Sequence, residues 1–152
     1  MALEKYRQKR DFKKTTEPKP KATSSTSKGK LIFVVQEHHA SRLHYDFRLE
    51  MNDVLVSWAI PKGPSEDPAV KRLAVMTEDH PMDYANFEGV IPEGLYGAGT
   101  VEIWDTGTYE MIEEAKGKYV FNLSGKKLKG AYCLIQLKSA DSKNWLFFKK
   151  KE

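Results

Sequence analysis

The stretch from Leu43 to Ile60 limits the fold more than any other part of the chain. From Leu43 onward, apolar and polar residues alternate. Leu43, Tyr45, Phe47 and Leu49 fall on one side, and His44, Asp46, Arg48 and Glu50 on the other, the two-residue period of an extended strand. Asn52-Asp53 then supplies turn chemistry and Val54–Ile60 is a second β-rich run, so the segment predicts an antiparallel hairpin. A half-solvated sheet produces the same alternation, and periodicity alone favours an ordinary solvent face on the polar side. Composition shifts that balance. Solvent faces are usually built from Lys, Glu and Thr, whereas here three of the chain's four histidines fall at 38, 39 and 44, followed directly by Asp46 and Arg48.

The 152 residues suit one domain with a real core. A single cysteine, Cys133, excludes a disulfide framework and a thiolate zinc site, and fits a reducing interior. No apolar run reaches the ~20 residues of a membrane-spanning helix, and the start has no apolar signal core. The expectation is a soluble, cytoplasmic protein. The net charge of +4 is unevenly placed. Residues 1–30 hold ten Lys and Arg against three acidic residues, and residues 31–152 hold fifteen against eighteen. A basic arm thus precedes a slightly acidic body, which suits a polyanion partner and equally a solubilising tail.

Residues 3–14 predict a short helix, and Pro18, Pro20 and the Thr/Ser run after them predict an extended linker. The division expected is therefore 1–30 as arm and linker and 31–152 as body. In the body, strands are expected at 31–36, 43–51, 54–60, 72–77, 100–104, 107–112, 118–123, 130–137 and 145–149. Turns are expected at Asp105-Thr106-Gly107, Ser124-Gly125 and Ala140-Asp141-Ser142, and a long loop over 78–99. That many short strands with frequent turn signals and almost no helical periodicity predict an all-β, mainly antiparallel compact barrel of about eight strands. Its natural site is the mouth or interior. Trp58, Trp104 and Trp145 read as core.

His38, His44 and Asp46 form a two-histidine, one-carboxylate set suited to a borderline divalent ion with positions left open. Such a set serves oxygen-activating iron or a hydrolytic metal. Its neighbours favour phosphate chemistry: Arg48 on the same face, then Lys62, Arg72 and His80, are cations or donors for phosphate oxygens. Taken alone, His80 reads as a turn-capping histidine. As a functional group it offers a proton or a hydrogen bond to phosphate, as Tyr84 offers its phenol. The glycines of Gly94–Gly99 precede a strand rather than a helix, so a dinucleotide loop is a poor reading.

Longer motifs carry a resemblance. Phe33-Val34-Val35-Gln36-x-His38-x-Ala40-Ser41-Arg42-Leu43-His44-Tyr45-Asp46-Phe47-Arg48-Leu49-Glu50, Ser57–Ser65, Arg72–Val75, Glu78-Asp79-His80-Pro81-x-x-Tyr84, Gly89–Gly99 and Trp104-Asp105-x-Gly107 strongly resemble the 3′-phosphoesterase domain of bacterial and archaeal DNA ligase D. The arm joins in through Leu3-x-x-Tyr6-x-x-Lys9-Arg10-Asp11-Phe12-x-x-Thr15-x-Glu17-Pro18.

The resemblance implies a Mn2+-dependent barrel enzyme, with Co2+ or Zn2+ as alternative ions, that trims 3′ ends during end joining. Such an enzyme removes a terminal ribonucleoside and then hydrolyses the 3′-phosphate left behind. Carried over, His38, His44 and Asp46 ligate the metal, and Arg48, His80 and Tyr84 engage the phosphate. Lys62 and Arg72 support them, and Arg10, Asp11 and Glu17 are arm positions used in catalysis. The partners implied are DNA or DNA–RNA primer-template 3′ ends, with a separately encoded ligase, polymerase or end-binding protein. A nucleoid-associated monomer is expected. His39, beside a ligand, is not expected to be one. The chain ends shortly after Phe147-Phe148-Lys149, so a stand-alone enzyme or an excised domain is expected. The alternative reading is a non-catalytic nucleic-acid-end binding module. An iron oxygenase would need iron-dependent oxygen consumption to support it.

Overall fold

The computed structural model describes residues 3–10, 17, 31–138 and 142–151. Within these, the chain forms a five-residue helix α1 (Glu4–Gln8) and ten strands. The strands are β1 (Leu31–His39), β2 (Leu43–Met51), β3 (Val54–Ile60), β4 (Arg72–Met76), β5 (His80–Pro81), β6 (Gly89–Ile91), β7 (Gly99–Ala115), β8 (Lys118–Gly125), β9 (Lys129–Gln136) and β10 (Asn144–Lys149). A 3-10 helix covers Met82–Asn86. All pairings are antiparallel, in the order β1-β2-β3-β4-β10-β9-β8-β7, and β7 pairs back onto β1. Eight strands therefore close a barrel, as the turn spacing predicted, and no sheet edge is left around it. The two remaining strands attach outside the ring, β5 on β3 and β6 on β7.

The β2–β3 hairpin has the predicted bounds. Asn52 and Asp53 both adopt positive φ, 51° and 66°, the backbone of the tight turn that matches strand twist. The expected turn at Asp105-Thr106-Gly107 is not a turn. Gly99–Ala115 runs as one 17-residue strand, and the register against β1 shifts there, Val35 facing Asp105 and Gln36 facing Ile103. The extra residue is a bulge. The Asp105 carboxylate accepts backbone N–H bonds from Lys126, Lys127 and Leu128, so the aspartate closes the β8–β9 loop instead of its own turn. Gly107 is needed because a Cβ there would overlap the Ser124 carbonyl of β8. The predicted loop over 78–99 contains β5, the 3-10 helix and β6, and the predicted helix over 3–14 is described only as Glu4–Gln8.

Strand parity sorts the apolar residues into two cores. Phe33, Val35, Phe47, Leu49, Trp58, Ile60, Ala74, Tyr109, Phe121, Leu123, Tyr132, Leu134, Trp145 and Phe147 point inward from all eight barrel strands. Trp104 packs against them half-buried. The second cluster lies on the outer wall: Val34, Leu55 and Val101 from the barrel meet Tyr6 of α1, Tyr84, Ala85 and Phe87 near the 3-10 helix, and Ile91 of β6. A roof of short elements thus covers one side of the barrel. Among the described residues no helix is long and apolar enough to cross a membrane.

Candidate active site

The polar face of β2 lies under this roof, not in solvent and not in the barrel mouth. His38 pairs across β1–β2 with His44, and Gln36 with Asp46, so these four share the outer face. His38 and Asp46 are each 7% exposed and Arg48 only 3%. His38 Nε2 donates to the Gly97 carbonyl at 2.7 Å and His44 Nδ1 to the Arg42 carbonyl at 3.3 Å. Carbonyls only accept, so in the neutral imidazoles the lone pairs are His38 Nδ1 and His44 Nε2. Both face the same carboxylate, at 3.4 Å from Asp46 Oδ2 and 3.3 Å from Oδ1. One ligand atom from each residue lies within 4.8 Å of the others. A backbone partner on the far nitrogen and a free lone pair on the near one is how metal-binding imidazoles are oriented. Gly97 reaches its position with φ of +76°, and a Cβ there would stand 3.4 Å from the His38 ring.

Burial alone would raise the Asp46 carboxyl, but the Arg48 guanidinium and the two imidazoles hold it well below the usual carboxylate range. Burial would lower His44, yet the hydrogen bond and charge of Asp46 outweigh that and raise it. A proton on His44 Nε2 therefore sits where a divalent ion would, and the ion competes with it.

Arg48 is fixed on several sides. Its Nε donates to Gln36 Oε1 at 2.7 Å, Nη2 lies 3.4 Å from Asp46 Oδ2, and the guanidinium stacks 4.8 Å from the Tyr84 ring centre. Gln36 in turn donates to the Tyr84 and Phe87 carbonyls at 2.7 and 3.1 Å. His80 Nδ1 lies 2.9 Å from the Glu78 carbonyl, which places the ring proton on Nδ1 and leaves Nε2 as an acceptor. Burial, reinforced by Arg48 and Arg10, pushes the His80 pKa well down, so the ring is a neutral base. Tyr84 is raised by burial and is a neutral phenol.

The arm completes the wall. Tyr6 is fully buried, edge-on to His80 at 5.1 Å and to Tyr84 at 6.0 Å between centroids. It sets Arg10 over its own ring at 4.2 Å. Arg10 donates to Glu17 Oε2 and to Glu78 Oε2, both at 3.0 Å, and Nη2 reaches His80 Nε2 at 3.4 Å. The Tyr84 hydroxyl donates to Glu17 Oε2 at 2.6 Å. Lys9 pairs with the other Glu78 oxygen at 3.2 Å. Burial opposes ionisation of Glu78, but a backbone hydrogen bond and the two cations lower its pKa.

A pocket of about 290 Å³ is lined by Arg10, Glu17, His38, His44, Asp46, Arg48, Glu78, His80 and Tyr84, among others. Eight of the residues singled out in the sequence are thus brought together. Lys62 and Arg72 are not. Lys62 is exposed in the turn after β3, and Arg72 shares the inward face of β4 with Ala74, opposite Phe147. Asp11 lies outside the described residues. His39 points to the other face of β1, 2.7 Å from Glu37. The sequence reading assigned no role to Glu78, Gln36 or the Gly97 carbonyl. Glu78 and Gln36 had a signal in the motifs that carry the resemblance.

An outer-wall pocket on a closed barrel thus places a donor set of the kind that holds divalent ions beside a buried guanidinium and a neutral imidazole. Comparison with known proteins gives the family. Residues 36–136 match the DNA ligase D 3′-phosphoesterase domain family. The chain is 50% identical over 157 aligned residues to the multifunctional non-homologous end joining protein LigD of Pseudomonas aeruginosa, covering 99% of this chain and 19% of that protein. It is 51% identical over 138 residues to the multifunctional non-homologous end joining DNA repair protein LigD of Mycobacterium tuberculosis, covering 88% and 18%. The figures for Mycolicibacterium smegmatis LigD are 47% over 161 residues, 99% and 21%. The chain belongs to the DNA ligase D 3′-phosphoesterase domain family and spans about a fifth of the length of these relatives.

Proposed function

We propose that the chain is a metal-dependent hydrolase of nucleic-acid 3′ ends that removes a terminal ribonucleoside and then the remaining 3′-phosphate, leaving a hydroxyl for joining. One observation carries this reading: the donor atoms of His38, His44 and Asp46 converge within 4.8 Å of one another beside the buried Arg48. Electrostatics supports it. The pocket lining holds three carboxylates, Glu17, Asp46 and Glu78, against two guanidiniums, Arg10 and Arg48. Without a further cation that balance disfavours an incoming phosphate, and a divalent ion reverses it.

His38 through Nδ1, His44 through Nε2 and Asp46 through a carboxylate oxygen would hold the ion, Mn2+ by family resemblance. When bound, such an ion supplies Lewis-acid polarisation and an acidified water. Arg48, already desolvated and fixed by Gln36, binds non-bridging phosphate oxygens, where a preorganised donor stabilises developing charge. His80 Nε2 accepts a proton and, once charged, returns it to a leaving oxygen. Tyr84 donates its phenol to the phosphate in exchange for Glu17. Arg10 and Glu17, from the 1–30 arm, line the pocket of the barrel formed by 31–152 and favour the monoester step, in which the family resemblance also gives Asp11 a role. Lys62 and Arg72, outside the pocket, take no part in this reading. The substrate places the protein in the cytoplasm at chromosomal breaks, beside a ligase, polymerase or end-binding protein.

The test is a primer-template with a 3′-terminal ribonucleotide and Mn2+. The primer should shorten by one nucleoside and then lose its phosphate, and His44→Ala should slow both steps by more than about 100-fold. Equal processing by wild type and variant overturns the assignment. Salt-sensitive binding without turnover under any divalent metal identifies a binding module instead.

A further inference from the structure

One strand face away from the pocket, β1 and β7 assemble a second donor set. Glu37 and His39 on β1 and Glu102 on β7 each bring a ligand atom within 4.8 Å of the others. The fold creates this set. Glu37 and Glu102 are direct cross-strand partners, and His39, two residues on, faces Thr100. All four therefore share the inward-pointing face of the two strands, beyond Val35 and toward the end of the barrel. Tyr45, the β2 partner of Glu37, forms the adjoining wall and stands edge-on to Trp104 at 5.8 Å.

Two carboxylates directly opposite each other on adjacent strands repel, and such pairs destabilise a sheet. His39 answers only part of this, through Nε2 at 2.7 Å from Glu37 Oε2. One imidazole and two carboxylates satisfy a borderline divalent ion, and the exposed side of the set leaves room for water ligands. Small side-chain rotations bring such atoms to the roughly 3–3.5 Å separations of a tetrahedral zinc shell. We infer that Glu37, His39 and Glu102 form a second divalent-cation site, for zinc or a similar borderline ion, that bridges β1 to β7 at the barrel end. The ion neutralises the carboxylate pair and fastens the strand that carries His38.

The site is independent of the pocket, so its occupancy is separable from activity. Metal-stripped full-length protein is titrated with Zn2+ by calorimetry, and bound zinc is counted after gel filtration. Wild type should bind two equivalents. A His44→Ala/Asp46→Asn variant should keep one, and in that background zinc should raise the melting temperature. Adding either His39→Ala or Glu102→Gln should weaken the remaining equivalent by more than about tenfold, the low end of what losing even an outer-shell partner of a metal costs. Both replaced side chains are exposed, so metal-free melting temperatures should hold. Binding of no zinc by the His44→Ala/Asp46→Asn variant overturns the inference. So does a second equivalent that survives both additional substitutions.

Discussion

At their centres the two faces of the β1–β2 ribbon are both buried, and they are chemically opposite. Phe33, Val35, Phe47 and Leu49 on the inner face have no exposed surface, and Gln36, His38, Asp46 and Arg48 on the outer face are 0%, 7%, 7% and 3% exposed. The inner face gains from removing apolar area from water, and its partners need only fit. The outer face gains nothing that way. Every donor and acceptor taken from water there must find a partner, or it costs more than the contact returns. The covering elements supply part of them, the Tyr84 and Phe87 carbonyls for Gln36 and the Gly97 carbonyl for His38, and the face supplies the rest itself, Arg48 pairing with Gln36 and Asp46. A polar strand face acquires chemistry here because it is covered, not because it meets solvent.

The contrast is broken hardest from inside. Phe47 touches the rings of Phe33, Trp58, Phe121 and Phe147, with centroids 4.8–6.5 Å away. Phe47→Ala should cost about 3–5 kcal/mol by chemical denaturation, and the molecules that stay folded should keep their activity. The mirror experiment is Gln36→Leu on the outer face. It keeps the volume but removes the amide that holds Arg48 and two roof carbonyls. It should lower turnover by about 10–100-fold in the molecules that stay folded. Full turnover in the folded variant would show that the Gln36 amide does not position Arg48.

The smallest effect sharpens the comparison through pH. His80 is neutral in the fold with its pKa depressed, while the unfolded chain protonates near the ordinary value of about 6.5. Below that pH the unfolded state binds the proton and the folded state does not, so stability is full above it and falls as pH drops. The slope should approach about 1.4 kcal/mol per pH unit in metal-free protein and flatten in His80→Gln. His44, raised by Asp46, acts with the opposite sign: its contribution is present at low pH and lost as pH rises through its folded pKa. Denaturation curves at pH 5.5 and 7.5 for wild type and His80→Gln decide the point. Parallel pH dependence in the two would show that His80 carries none of it.

The hairpin, the barrel class and the group His38, His44, Asp46, Arg48 were legible because period-two alternation, Asn52-Asp53 and the spacing of ligands are local. What failed was non-local. Asp105-Thr106-Gly107 has the composition of a turn, but the carboxylate serves amides more than 20 residues onward and the glycine serves close approach to β8. Glu78 belonged to a motif but had no assigned role, and acquired one when Arg10, 68 positions away, was placed against it. Alternation likewise shows that a strand has two faces but not which elements cover the second. The site was therefore expected in the mouth and lies on the outer wall.

Helix α1 has five residues, too few to persist alone in water, so it exists as a helix only while Tyr6 is seated between His80 and Tyr84. The pocket is consequently built from parts with different lifetimes. The candidate metal ligands and Arg48 sit in a hydrogen-bonded ring that opens only with the whole barrel, whereas Arg10 is posted on a short segment held by the Tyr6 ring and the ion pairs of Lys9 and Arg10 with Glu78. Undocking of that segment is a local event, far cheaper than global unfolding. Two clocks therefore run in one pocket, and the faster one belongs to the arm residues that line it.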